Sequence, residues 1–180
     1  MTDGITIKKA YERIQTLVKK KPEIGKKTVS TIVRCKEGTT CEVVHKDWTF
    51  KVDIGESEGG NNAGPGPGLL QRGALGGCLA IGYVQMAAVQ DVPIDHIEVE
   101  VEADTDLQGR FNINNSPPGS LQITYSIKIE SPAKKQEVQK VIEEADRLSP
   151  VLDDFRRAIP IKRNLNIQKS KQKKMEEADQ

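Results

Sequence analysis

Cysteine is scarce in this chain, with three in 180 residues, at Cys35, Cys41 and Cys78. No two of them form a CxxC pair, which excludes thioredoxin-like chemistry and the common zinc sites. Three cysteines do not make a disulfide framework either. Histidine is scarcer still: only His45 and His96 occur, and neither has a partner at metal-ligand spacing. No metal or cofactor is therefore expected. An excess of one charge is also missing. Lys and Arg number 27 against 26 Asp and Glu, a formal net charge of +1, which excludes nucleic-acid binding driven by bulk electrostatics. The start Met1-Thr2-Asp3-Gly4 lacks the basic-then-apolar order of a signal peptide, so a reducing, cytoplasmic setting is the expectation. Nor is there an unbroken membrane span. Leu69 to Val89 has the length, but Gln71, Arg72, Gln85 and several glycines interrupt it.

What is present is enough for one domain with a real core. Ile7, Ala10, Tyr11, Ile14, Leu17 and Val18 recur at helical spacing, and Pro22 ends that helix. The run Lys19-Lys20-Lys21 reads as a solvated helix end, favoured there by the helix dipole. Three strands follow, at Val29 to Cys35, Thr40 to His45 and Trp48 to Ile54, rich in β-branched and aromatic residues and separated by turn signals. They predict an antiparallel meander. A Gly, Asn and Pro-rich loop leads to a helix running to about Val89. Strict alternation then marks two half-buried strands, Ile97 to Asp104 and Leu121 to Ile129. The acidic row Glu98, Glu100, Glu102 reads as a solvated sheet face. A helix from about Pro132 to Leu148 carries Val138, Val141, Ile142, Ala145 and Leu148 on one stripe. Ser149-Pro150 opens a short helix, Ser as cap and Pro at the first helical position. Ile161 to Ile167 reads as a last strand. Strands and helices do not alternate regularly, so the class is α+β.

Two segments could carry chemistry. Gly64-Pro65-Gly66-Pro67-Gly68 precedes a helix, as phosphate loops do. Pro65 and Pro67 have no N–H to donate, however, and no Lys-Ser or Lys-Thr follows. The loop stiffens the entry to the helix instead. Cys78 lies inside that helix, with Ala74, Leu75, Ile81 and Gly82 one turn away. Such neighbours would bury the thiol, and Arg72 points to another face, so any cation near the sulfur must come from elsewhere in the fold. On local sequence alone Cys78 reads as a small core residue. The glycines qualify that reading. Gly73, Gly76, Gly77 and Gly82 each cost roughly 0.8–1 kcal/mol against Ala in a helix, so close contact must hold this one, with a subunit interface as one source.

The stretch from Gly64 through Leu70 and on to Ala74-Leu75-Gly76-Gly77-Cys78-Leu79-Ala80 resembles the first cysteine motif of the OsmC/Ohr family. Asp146-Arg147-Leu148-Ser149-Pro150-Val151-Leu152 resembles its second motif, a Cys-Pro pair after a long helix. The resemblance implies antiparallel sheets around central helices in an intertwined homodimer. It divides the chain into a helical extension, 1–22, an OsmC-like domain, 27–167, and a polar tail, 168–180. It also implies reduction of organic hydroperoxides. A thiolate attacks the O–O bond and becomes a sulfenic acid, and a second cysteine condenses with it. An arginine polarises the peroxide, and a glutamate near the start of the cysteine helix orients the arginine.

Only part of that set is present. Cys78 matches the peroxidatic cysteine. Ser149 stands where the resolving cysteine would be and cannot form a disulfide. Gly68 and Leu69 stand at the glutamate's place. Lys51, Asp53 and Ile54 occupy the arginine's stretch, and Arg34 lies on an earlier strand. Cys35 and Cys41 lie outside the second motif; one of them resolving a sulfenic acid is the alternative, and simple strand positions are the favoured reading. Two functions stay open. One is a thiol-dependent hydroperoxide reductase using Cys78 and an external thiol reductant. The other is a non-catalytic relative that binds a small apolar molecule or serves a structural role. Neither involves nucleic acid or membrane.

Overall fold

The helix that carries Cys78 is the axis of the molecule. In the computed structural model, which describes residues 3–169, this helix (α2) spans Pro67–Val89. Gly66 is its N-cap, and Pro67 sits where a missing N–H costs nothing. One face of α2 buries Leu75, Leu79, Tyr83, Met86 and Ala87. Three elements close on that face. The helix Lys135–Leu148 (α4) brings Val141 and Ala145, the helix Pro150–Arg156 (α5) brings Leu152, and the β-hairpin below brings its inner residues. Gly76 sits at the sheet contact, where a Cβ would come within 3.2 Å of Val101 Cγ2 and press that side chain aside. On the α4 side Gly82 faces Ala145, and small residues again let the backbones approach.

The hairpin pairs His96–Thr105 (β4) with Ser120–Glu130 (β5), antiparallel. Ile97, Val99, Val101, Ile123, Tyr125 and Ile127 pack inward on the core. The acidic row faces out, with Glu98 opposite Lys128. A single turn of helix, Leu107–Arg110 (α3), interrupts the connection, a feature the sequence pattern does not predict. Its cap is Asp106, which accepts from the Gln108 N–H at 2.9 Å. The N-terminal helix Gly4–Lys20 (α1) is capped by Asp3, which accepts from the Thr6 N–H at 2.7 Å. It packs along α2 through Tyr11, and Lys8 pairs with Asp91. Among the described residues no helix is long and apolar enough to cross a membrane.

The meander behaves differently. Ile32–Glu37 (β1), Thr40–His45 (β2) and Trp48–Val52 (β3) pair in that order, antiparallel. They contact one another and little else. Val33, Val43 and Phe50 lie in register on one face, yet Val33 and Phe50 are exposed.

Four expectations need correction. Ile161 to Ile167 forms no strand; Ile161 and Ile167 are exposed and no neighbouring strand pairs with them. The long second helix begins at Lys135, because Pro132 and the Ser131 turn precede it, with the Ala133 N–H donating to Ser131 Oγ at 3.0 Å. Leu148 leaves the buried stripe and is exposed. Cys35 and Cys41 are not simple strand positions: they face each other across β1 and β2 and form a disulfide. The expected polar tail lies outside the described residues from 170 onward.

The open face of α2 leads to the first prediction. Leu69, Gly73, Gly77, Ile81 and Val84 recur one turn apart on that face and are exposed. Gly73 and Gly77 have no neighbour within 4 Å. Together with the uncovered apolar face of the meander, this is more apolar surface than a monomer ordinarily shows. The chain is expected to form a two-fold dimer burying more than about 2,000 Å². Sedimentation equilibrium should give a dimer at micromolar concentration; a stable monomer there would contradict the expectation.

Candidate active site

Ser149 joins α4 to α5. As N-cap of α5 its Oγ accepts from the Leu152 N–H at 3.4 Å, and Pro150 fills the next position. The residue is 5% exposed. The α2–α4 packing sets it against the middle of α2, where Cys78 Sγ lies 3.4 Å from Ser149 Oγ. With Oγ already accepting from Leu152, the Ser149 hydroxyl proton is free to be donated to the sulfur. Two residues that lie 71 apart in sequence thus meet at one point. Leu75 and Leu79, which flank Cys78 on α2, are buried in the core. Cys78 itself is only half-buried, because Ala74 and Ile81 turn to the open face. The apolar burial expected from its neighbours is therefore incomplete.

A part-buried polar network fixes the same helix pair. Asp146 of α4 accepts from Tyr83 Oη at 2.7 Å and from Tyr125 Oη at 2.9 Å. Burial and the Asp146 carboxylate both push the Tyr83 phenol far above its ordinary value, and Tyr125 moves in the same direction for the same causes. Both phenols therefore stay protonated donors. The network ties α2, β5 and α4 together one turn before Ser149. Sequence reading missed it, because its members share no local pattern.

At the head of α2 a second network holds the incoming loop. Asp53 is 2% exposed and accepts five hydrogen bonds. Thr39 Oγ1 and Thr40 Oγ1 donate at 2.7 Å each, and the Ile54, Asn61 and Ala63 N–H groups donate at 2.8, 3.1 and 3.2 Å. Beside it Arg110 Nη1 donates to Glu58 Oε1 at 2.7 Å. Asp53, Glu58, Gly68 and Arg110 line one recess there. An arginine–glutamate pair thus stands beside Gly68, at the head of α2. Arg34 and Lys51 lie together on the meander, away from this recess. His45 Nδ1 lies 2.8 Å from the Ser30 carbonyl, and His96 opens β4.

The fold and this site define a class: an α+β protein whose central helix presents a half-buried thiol to the junction of two later helices. A family model described as "OsmC-like protein" matches residues 59–164, more than half of the chain, and the chain belongs to that family. No curated protein matches it in sequence. Solved structures support the fold. An OsmC-like protein of Mycoplasma pneumoniae superposes with a TM-score of 0.61 at 16% identity, over 72% of this chain and 88% of that one. An organic hydroperoxide resistance protein OsmC of Legionella pneumophila gives 0.52 at 15% identity, over 73% and 92%. An OsmC-like protein of unknown function from Vibrio cholerae gives 0.55 at 12% identity, over 71% and 93%.

The Asp53 network generates a pH prediction. The Thr40 and Thr39 hydroxyls, helped by the backbone donors, hold the Asp53 carboxyl well below the usual carboxylate range. An unfolded Asp takes up its proton near pH ~3.9. The folded carboxylate therefore stabilises the protein above that pH. Its contribution is lost as pH falls from there through the lower folded value. Asp53→Asn should lower the melting temperature at neutral pH and flatten its decline below about pH 4. Thermal melts of both proteins between neutral and acid pH check this; an unchanged acid decline would refute it.

Proposed function

We propose that this chain reduces organic hydroperoxides through Cys78 as its single peroxidatic thiol, with an external thiol as reductant. The observation that carries the reading is the half-buried sulfur of Cys78, open on one side and hydrogen-bonded to Ser149 on the other. The relatives named as hydroperoxide resistance proteins support it by fold.

In the proposed reaction the Cys78 thiolate attacks the outer oxygen of a hydroperoxide. The O–O bond breaks, the alkoxide takes up a proton and leaves as an alcohol, and the sulfur becomes a sulfenic acid. The Ser149 hydroxyl donates to the sulfur but cannot condense with it. An external thiol then attacks the sulfenic sulfur and water leaves. A second thiol releases Cys78 by exchange.

The cation that polarises the peroxide is proposed to be Arg110, held by Glu58. Gly68 and Cys78 are ten residues apart on α2, about 15 Å along the axis, so a pair beside Gly68 does not reach its own sulfur. A two-fold crossing of the open faces at Gly73, midway between them, would bring the head of one α2 to the middle of the other. The site would then draw its thiol from one protomer and its cation from the partner.

Hydroperoxide consumption with a dithiol reductant tests the proposal. Wild-type protein should turn over, and Cys78→Ser should not. Arg110→Ala should slow consumption on the order of a hundredfold, the usual loss for a removed electrostatic stabiliser, with the fold intact by circular dichroism. No consumption by the wild-type protein would overturn the reading in favour of a non-catalytic binding relative.

A further inference from the structure

We propose that the Cys35–Cys41 disulfide is a reversible thiol–disulfide site, reduced by small dithiols, whose redox state sets the order of the segment that leads into α2. The inference does not depend on the peroxide chemistry proposed for Cys78.

The bond joins residues directly opposite each other in the β1–β2 ladder, six apart in sequence. That ladder already closes the short loop, so the bond has little chain entropy left to remove, and a purely stabilising role explains it poorly. It is also accessible. Cys35 is exposed and Cys41 half-buried at the tip of the hairpin. Exposed disulfides are the labile ones, whereas structural disulfides are shielded.

The residues enclosed by the bond are those that hold Asp53. Thr39 and Thr40 donate to its two carboxylate oxygens, and Asn61 Nδ2 donates to Thr40 Oγ1 at 3.0 Å. Asp53 in turn fixes the amides of Ile54, Asn61 and Ala63, while its own N–H donates to the Pro65 carbonyl at 3.4 Å. Gly64 lies so close to the end of β3 that a Cβ would sit 2.3 Å from the Lys51 carbonyl oxygen. Pro67, two residues beyond Pro65, opens α2. The hairpin tip and residues 53–66 therefore form one hydrogen-bonded unit, and the disulfide clamps its outer end.

The chemistry is ordinary exchange. A thiolate of the dithiol attacks the exposed Cys35 sulfur, the S–S bond breaks, and Cys41 leaves as a thiolate that takes up a proton. The second thiol of the reductant then closes its own disulfide and releases Cys35. Two electrons and two protons pass to the protein. A disulfide such as oxidised glutathione reverses the reaction.

Hydrogen exchange on the full chain, oxidised or treated with dithiothreitol, tests the proposal. Alkylation after treatment should mark both Cys35 and Cys41. Amides within 53–66 should then exchange at least about tenfold faster, as in a locally opened unit, while β4 and β5 keep their rates. Oxidised glutathione should restore the slow rates. A Cys35→Ser/Cys41→Ser double variant should exchange fast in 53–66 with or without dithiol. Three results would overturn the proposal: failure of Cys35 and Cys41 to become alkylated after dithiothreitol treatment of the native protein, unchanged exchange in 53–66 after reduction, or equal acceleration in β4 and β5. The last would make the bond a global staple.

Discussion

Everything in this molecule that bears on function depends on how closely α2 packs against α4. Leu79, Tyr83, Val141 and Ala145 are all buried there, and Gly82 lies against Ala145. The Tyr83 and Tyr125 hydroxyls clamp the same contact onto Asp146. A carboxylate held by two phenol donors tolerates little sliding, because a shift would take the hydroxyl of the fully buried Tyr83 off its partner. Ser149 follows one turn after Asp146, so the clamp also fixes where Ser149 meets Cys78. A large-to-small change at Leu79 would cost about 2–5 kcal/mol and would loosen the sulfur's surroundings as well.

The protomer has two unequal parts. One is a helical core over the β4–β5 hairpin, with its polar groups satisfied. The other is a meander that reaches the core mainly through the Asp53-held loop. That loop carries Glu58, which pairs with Arg110 of α3 beside the start of α2. The thiol sits midway along α2, and this cation, at the end of α3, lies beside the head of that helix. The open stripe with Gly73 at its centre is where a second copy would bring them together. Family membership is shown by sequence over residues 59–164, while the chemistry proposed for the chain rests on residues that differ from those the family resemblance implies.

Much of the fold was legible because burial imposes a period. β4 and β5 alternate cleanly, since one face meets α2 and the other meets water. Ser149-Pro150 could be read as a helix start from capping chemistry alone. The same reasoning failed at Ile161 to Ile167, where apolar residues recur but no strand offers its backbone for pairing. The cysteine pair was only half legible. Gly38, whose positive φ marks the turn, lies between Cys35 and Cys41, but the register through Glu37 and Thr40 would set Cys35 opposite Glu42. An irregularity between Cys35 and Glu37 brings it opposite Cys41 instead. Glu58 and Arg110 left no such signal. They lie 52 residues apart, and only the path of the loop brings them together.

The central claim is that α4 delivers Ser149 to the Cys78 sulfur, in the place where a second thiol would act. Replacing Ser149 with cysteine tests it most directly. The side chains differ little in size, and the lost cap costs typically about 1 kcal/mol, so Ser149→Cys should fold. Brief treatment with an organic hydroperoxide, followed by peptide mass analysis, should then reveal a disulfide between Cys78 and the introduced thiol, a bond that the parent cannot make. A folded variant whose Cys78 oxidises without forming that bond would contradict the account.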